Sequence, residues 1–249
     1  MAAFALTDTK ILVGALDQSC FSDNIALDRQ GDTVEVTTFC SAGWREFVPG
    51  LTSWSASFGG PQDLAVSTAS TQYGPDEHYA LNVGTAYATT FVPYGDAEGA
   101  VAYGSQALLE QYTPLTGSVG DAAKHNIMAR GYLATPLVRG VLATKQTVTA
   151  TGVGTGHNLG AVSASQRVYC AVHLLTRGGT GSFTGELYSD DNSGFTSATS
   201  RGVVISGATS RTSAFISTAG AITDTWWRLI WGVSGGSPSF QVRVFIGIG

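Results

Sequence analysis

The stretch Gly31-Asp-Thr-Val-Glu-Val-Thr-Thr-Phe-Cys-Ser-Ala-Gly-Trp-Arg-Glu-Phe-Val-Pro-Gly-Leu-Thr-Ser-Trp-Ser-Ala-Ser-Phe-Gly-Gly60 decides the fold class. Its first half alternates, with Val34, Val36 and Thr38 on one face and Thr33, Glu35 and Thr37 on the other. Its second half alternates too: Trp54, Ala56 and Phe58 oppose Ser53, Ser55 and Ser57. A period of two is that of a half-buried strand, so the reading is strand, connection, strand, each with an inside and an outside. Ser41-Ala-Gly43 and Pro49-Gly50 supply turn chemistry around an aromatic and charged clasp, Trp44, Arg45, Glu46 and Phe47. Some fourteen residues separate the anchored strand segments, and unstructured loops longer than ~12–15 residues are usually functional. The clasp is therefore expected to project and to meet another subunit, the aromatics giving contact area and the charges setting register. Its alternative is a loop packed over its own sheet edge.

These residues carry a resemblance. A strand with Asp32, Val34, Glu35, Val36, Thr37, Thr38 and Phe39, then Trp44, Arg45, Glu46, Phe47, Pro49, Gly50 and Leu51, then Trp54, Ser55, Ser57 and Phe58, resembles the major tail tube proteins of long-tailed bacteriophages. A looser echo reaches Gly120-Asp121 and Leu137-Val-Arg-Gly140, covering about the first 145 residues. The resemblance implies a structural virion protein whose sheets join across subunits into hexameric or pseudo-hexameric rings. It implies that the rings stack into a tube with other tail proteins and that DNA passes through the lumen. It also implies an N-terminal arm or early strand touching a neighbour. It brings no catalytic, cofactor or metal residues.

Composition is compatible with that picture. The 249 residues can bury one large or two modest cores, and 32 glycines with only 12% charged residues suit an all-β chain rich in tight turns. A net charge of −5, without basic clusters, argues against gripping phosphate, so DNA should pass without tight binding. Cys20, Cys40 and Cys170 show no C-x-x-C spacing and are expected to be reduced and mostly buried. Met1 to Asp8 lacks signal-peptide character and no stretch approaches 18 apolar residues, so the expectation is synthesis in a host cytoplasm and no membrane partner.

In chain order, Thr9 to Leu16 reads as a short apolar strand, and Ile25 to Arg29 leads into the key strand. Pro61 to Glu77 reads as a loop or loose crossing, and Tyr79 to Val92 as a strand stopped by Pro93-Tyr-Gly95. Ser105-Gln-Ala-Leu-Leu-Glu-Gln-Tyr112 is the one persuasive helix, bounded by Gly104 and Pro114. His125 to Gly131 and Leu137 to Thr144 look like a strand pair. Thr147 to Gly160 is Thr- and Gly-rich and marks a boundary, giving residues 1–145 as a tail-tube-like lobe and 146–249 as an antiparallel β-sandwich lobe. The second lobe shows short strands at Val168–Leu174, Phe183–Leu187, Val203–Ile205, Ala214–Ser217, Trp227–Val233 and Phe240–Ile248.

The remaining constellations point mostly to structure. His78, His125, His157 and His173 have no Gly-x-Ser-x-Gly elbow beside them, and His173, opposite the apolar face of its strand, is expected at a surface or interface. Ser189-Asp-Asp-Asn-Ser-Gly194 lacks calcium-loop spacing and reads as a polar turn. Gly152–Gly156 and Gly178–Gly181 end without Lys-Ser/Thr and read as turns, not phosphate cradles. Trp227 and Trp231 share a face with Leu229 and Val233 and should be core. Trp226 and Arg228 lie opposite as a possible exposed glycan or contact pair. Two function classes follow: a ring-forming tube subunit, or a virion decoration or receptor/glycan-binding module. Neither is an enzyme or needs a cofactor.

Overall fold

The computed structural model describes residues 6–38, 40–41, 43–63 and 74–249. Phe39 of the motif, Ala42 of the turn, the first five residues and residues 64–73 of the expected crossing lie outside them. The chain is mainly β. The first elements are β1 (Lys10–Val13), β2 (Leu16–Asp17), β3 (Asn24–Glu35), β4 (Phe47–Pro61), α1 (Pro75–Asn82), β5 (Tyr87–Val92), β6 (Val101–Thr116), β7 (Lys124–Gly131) and β8 (Val138–Val148). After them come β9 (Gly152–Val153), β10 (His157–Asn158), β11 (Arg167–Gly178), β12 (Ser182–Asp190), β13 (Thr199–Ala208), β14 (Thr212–Ala219), β15 (Trp226–Ser234) and β16 (Ser239–Ile248).

Every ladder between these strands is antiparallel, and β6 is the branch point. One of its edges takes β5. The other takes β8 along Val101–Gly104 and then β7 from Ala107 onward. From there β7 carries β4 and β4 carries β3, while β5 carries β1 and then β2, so the first lobe is a curled sheet. On the other branch β8, β16, β11 and β14 run side by side and face a second sheet of β10, β15, β12 and β13, with β9 also on β15. That is the expected sandwich, one of its sheets being an extension of the first lobe's.

Three apolar clusters fill the layers. Trp54, Phe58, Phe91 and Ile127 centre the first lobe; Trp227, Leu187, Phe183 and Val244 centre the sandwich; Phe245, Leu142 and Tyr169 fill the space between. The residue 145/146 division falls inside β8, whose ladder with β16 runs from Gly140 to Val148.

Several expectations are corrected. Ser105–Tyr112 is not a helix but the middle of β6, where pairing with β5 on one edge and β7 on the other overrides its helix formers. Gly104 belongs to that strand, paired with Thr90 and Val138, and it is a glycine because a Cβ there would come within 2.3 Å of the Phe245 ring. The helix is instead α1, opened by Pro75 with Asp76 and Glu77 in its first turn, so the expected strand from Tyr79 begins only at Tyr87. His125–Gly131 and Leu137–Thr144 are both strands, but they occupy successive stretches of one β6 edge and do not pair with each other.

Candidate subunit interface on a projecting hairpin

β3 and β4 form one long hairpin, paired from Asn24↔Gly59 to Glu35↔Phe47 with a register shift between Gly31 and Thr33. β4 finds its second neighbour, β7, only along Ser55–Pro61. Past Trp54 the hairpin is a free two-stranded ribbon, and the seven steps from Trp54 to Phe47 carry it roughly 23 Å at ~3.3 Å per residue. Alternation therefore places Trp54, Ala56 and Phe58 in the core as expected, but buries none of the strand residues in the distal half. Val34, expected on an inside face, is 52% exposed, and the strand ends at Glu35.

All four clasp residues lie at or beside the tip. Trp44 is 79% exposed, Phe47 53% and Leu51, of the same motif, 83%. The tip has a defined shape: the Val36 amide donates to the Glu46 carbonyl at 2.8 Å, and the Trp44 amide to the Ser41 carbonyl at 2.9 Å. Ser41 Oγ accepts from the Thr38 amide at 3.0 Å. Arg45 pairs with Glu35 across the ribbon at 3.9 Å and not with its neighbour Glu46. The Thr37 hydroxyl donates to Glu35 and accepts from the Glu46 amide.

Among the described residues β3 pairs only with β4, so its outer edge is open from Asn24 to Glu35. Open edges are templates for pairing with another chain, and Asp28, Arg29, Asp32 and Glu35 along this one limit indiscriminate pairing. Sequence reasoning placed the clasp at the projecting end but did not single out Leu51 as exposed; its place after Pro49-Gly50, before the Ser-Trp-Ser alternation begins, was the available signal.

Elsewhere, Trp227 and Trp231 are core, their indoles donating to the Gly160 and Ala150 carbonyls at 3.0 and 3.1 Å. Trp226 and Arg228 are half-buried, and the Arg228 guanidinium lies 3.9 Å from the centre of the Phe195 ring, so its flat face is already stacked. His173, expected at a surface or interface, is fully buried because β11 is covered on both faces. Its Nδ1 donates to the Gly14 carbonyl at 2.7 Å, which leaves Nε2 to accept from the Thr90 hydroxyl at 2.9 Å. Burial first of all pushes its pKa down to about 4. Cys20 and Cys40 are exposed, against expectation, and only Cys170 is buried. Asp190 of the acidic turn is buried and accepts from the Ser197 and Asn192 amides, as a turn-shaping carboxylate does. No group of three or more His, Cys, Asp or Glu side chains among the described residues is placed to hold a metal.

No protein-family model and no curated protein matches the chain. Among solved structures, a chain in the virion of a native gene transfer agent particle is 18% identical, covering 54% of this chain and 98% of that one, with a TM-score of 0.39. A chain in the tail of an empty gene transfer agent particle, solved with C6 symmetry, is 16% identical over 51% and 94%, with a TM-score of 0.37. The SPP1 Dit protein, described as a hub of the adsorption apparatus in phages infecting Gram-positive bacteria, is 9% identical over 97% and 99%, also at 0.37. With TM-scores this low, the functional reading stands on the hairpin and not on these overlaps.

Proposed function

We propose that this chain is the structural subunit of a phage-type tail tube, with residues 1–145 as the ring-forming lobe and 146–249 as an appended sandwich. One observation carries the reading: the stretch that resembles tube proteins is the stretch that leaves the body as a ribbon with unburied aromatics and an open edge. A monomer gains nothing from exposing Trp44, Phe47 and Leu51 together; a partner surface gives them a role. Edge-to-edge joining of curled sheets around a ring closes a barrel and removes the open edges. Net charge −5 disfavours retention of DNA phosphate in the bore, and no hydrolytic activity is assigned to the chain.

The test is the purified protein by electron microscopy and sedimentation. Stacked rings with a bore about as wide as a duplex are expected. Stable monomer at every concentration and salt overturns the reading, and isolated closed oligomers favour a decoration module instead. A lytic band on cell-wall or nucleic-acid zymograms contradicts the absence of hydrolysis.

A further inference from the structure

The first lobe carries a second unpartnered surface, and its chemistry is the counterpart of the hairpin tip's. On the side of β3 that faces β6 and the start of β8, an apolar groove of about 470 Å³ is lined by Ile25, Leu27, Tyr103 and Leu137. These four are half-buried, the outer margin of the first lobe's core. Arg29 and Arg139 line it as well, both are exposed, and no acidic residue does. Neither arginine has an ion-pair partner among the described residues. Past Arg29 and Leu137 the groove continues into another of about 510 Å³ at the hairpin's foot.

The tip is the reverse. It presents exposed Trp44 and Phe47, whereas Leu51 lines the groove at its own hairpin's foot, and the carboxylates Asp32, Glu35 and Glu46 are opposed by Arg45 alone. We infer that this groove receives the hairpin tip of a second copy of the chain, aromatics over the apolar floor and carboxylates against Arg29 and Arg139. The inference rests on the hairpin being an assembly element and adds where it lands. A ribbon paired from Asn24 to Glu35, with a single register shift after Gly31, cannot fold its tip back onto its own foot without losing that ladder, so the tip comes from another molecule. Because donor and acceptor surfaces differ, the contact is head-to-tail, which closes rings or extends stacks and does not stop at a two-fold dimer.

The experiment uses two full-length variants. One reverses the groove, Arg29→Glu with Arg139→Glu; the other reverses the tip, Asp32→Arg with Glu46→Arg. Each alone is expected to need at least about tenfold more protein to assemble, since like charges then meet. Mixed in equal amounts they alternate, each tip meeting a groove of opposite sign, and assembly returns to within about threefold of the parent chain. Recovery on mixing also shows that both variants fold. A groove-reversed chain that assembles alone like the parent, or a mixture that stays unassembled, overturns the inference. If the tip-reversed chain fails while the groove-reversed chain assembles, the hairpin remains an assembly element and lands elsewhere. If the parent forms no polymer, both readings fall.

Discussion

The foot and the tip of one hairpin each carry a tryptophan, and the fold treats the two oppositely. Trp54 at the foot is 5% exposed, its indole donates to the Thr135 carbonyl at 3.1 Å, and a Cβ at Gly131 would lie 2.4 Å from its Nε1. Trp44 at the tip is 79% exposed. Residue type does not separate them; the supply of neighbours does, because β7 accompanies β4 only from Ser55 onward. Aromatic area buried within the chain acts on folding, and the same area left outside is available for assembly.

The largest expected effect breaks the foot. Trp54→Ala removes a packed indole and its hydrogen bond and is expected to cost ~3–5 kcal/mol of folding stability. Denaturant unfolding of the monomer measures it, and a loss under ~1 kcal/mol means the foot does not anchor the hairpin. Next, Trp44→Ala should shift the same unfolding curve by no more than ~0.5 kcal/mol while weakening assembly by ~2–4 kcal/mol, the range of interface hot spots. A sharp loss of monomer stability with tubes of normal length would put Trp44 in a core and erase the contrast.

Acid sharpens the comparison differently, since the body holds buried histidines and the ribbon beyond Trp54 has none. His78, on the buried face of α1, packs against Tyr87 and Phe58, its pKa driven down to about 3 by burial first and then by nearby His125. His173, with Asp17 and Arg243 also acting on it, goes to about 4. Both are neutral when folded, and the unfolded chain binds the extra protons. Their stabilisation is complete above the ordinary value of 6.5 and is lost as pH falls from there toward about 4 for His173 and about 3 for His78. Each histidine contributes a slope of at most about 1.4 kcal/mol per pH unit in that window. An unfolding midpoint that stays flat from neutrality down through the window contradicts this burial.

The same contrast explains what was legible in the sequence. Period-two alternation correctly identified Trp54, Ala56 and Phe58 as inward and located β11 to β16 of the sandwich, while the two-residue β9 and β10 lie in the Thr- and Gly-rich stretch read as a boundary. It failed in both directions where the number of neighbours departs from one. His173 sits on a strand covered on both faces, so its off-face position is also buried. Val34 sits on a ribbon covered on neither, so its apolar position is exposed. Ser105–Tyr112 failed for a related reason: Ala, Leu, Glu and Gln favour helix locally, and nothing local reveals that β5 and β7 will both pair there. Helix α1 was announced by Pro75-Asp-Glu77 but disguised, since it buries His78 and Asn82 and leaves Tyr79 and Leu81 outward. Turn chemistry placed the clasp at a connection, but the long loop expected between the strands is shorter, because β3 runs to Glu35 and β4 already begins at Phe47.

The smallest expected effect is at the tip itself, and its smallness makes it useful. Arg45 approaches Glu35 at 3.9 Å, with their side chains 76% and 45% exposed, a geometry in which water competes with the pair and the net gain is ~0–1 kcal/mol at most. The shape of the tip rests on other bonds: Val36 to Glu46 across the ribbon, the Thr38–Ser41 turn, and the Thr37 hydroxyl, none of which involves the Arg45 side chain. Arg45→Ala is therefore expected to leave monomer stability within ~0.5 kcal/mol of the parent and amide hydrogen exchange at Val36 and Glu46 unchanged. If exchange at either amide accelerates markedly, the ion pair shapes the tip and the backbone ties are insufficient. If exchange is unchanged and assembly still weakens, the missing guanidinium was meeting a partner, because the tip that reaches that partner has kept its form.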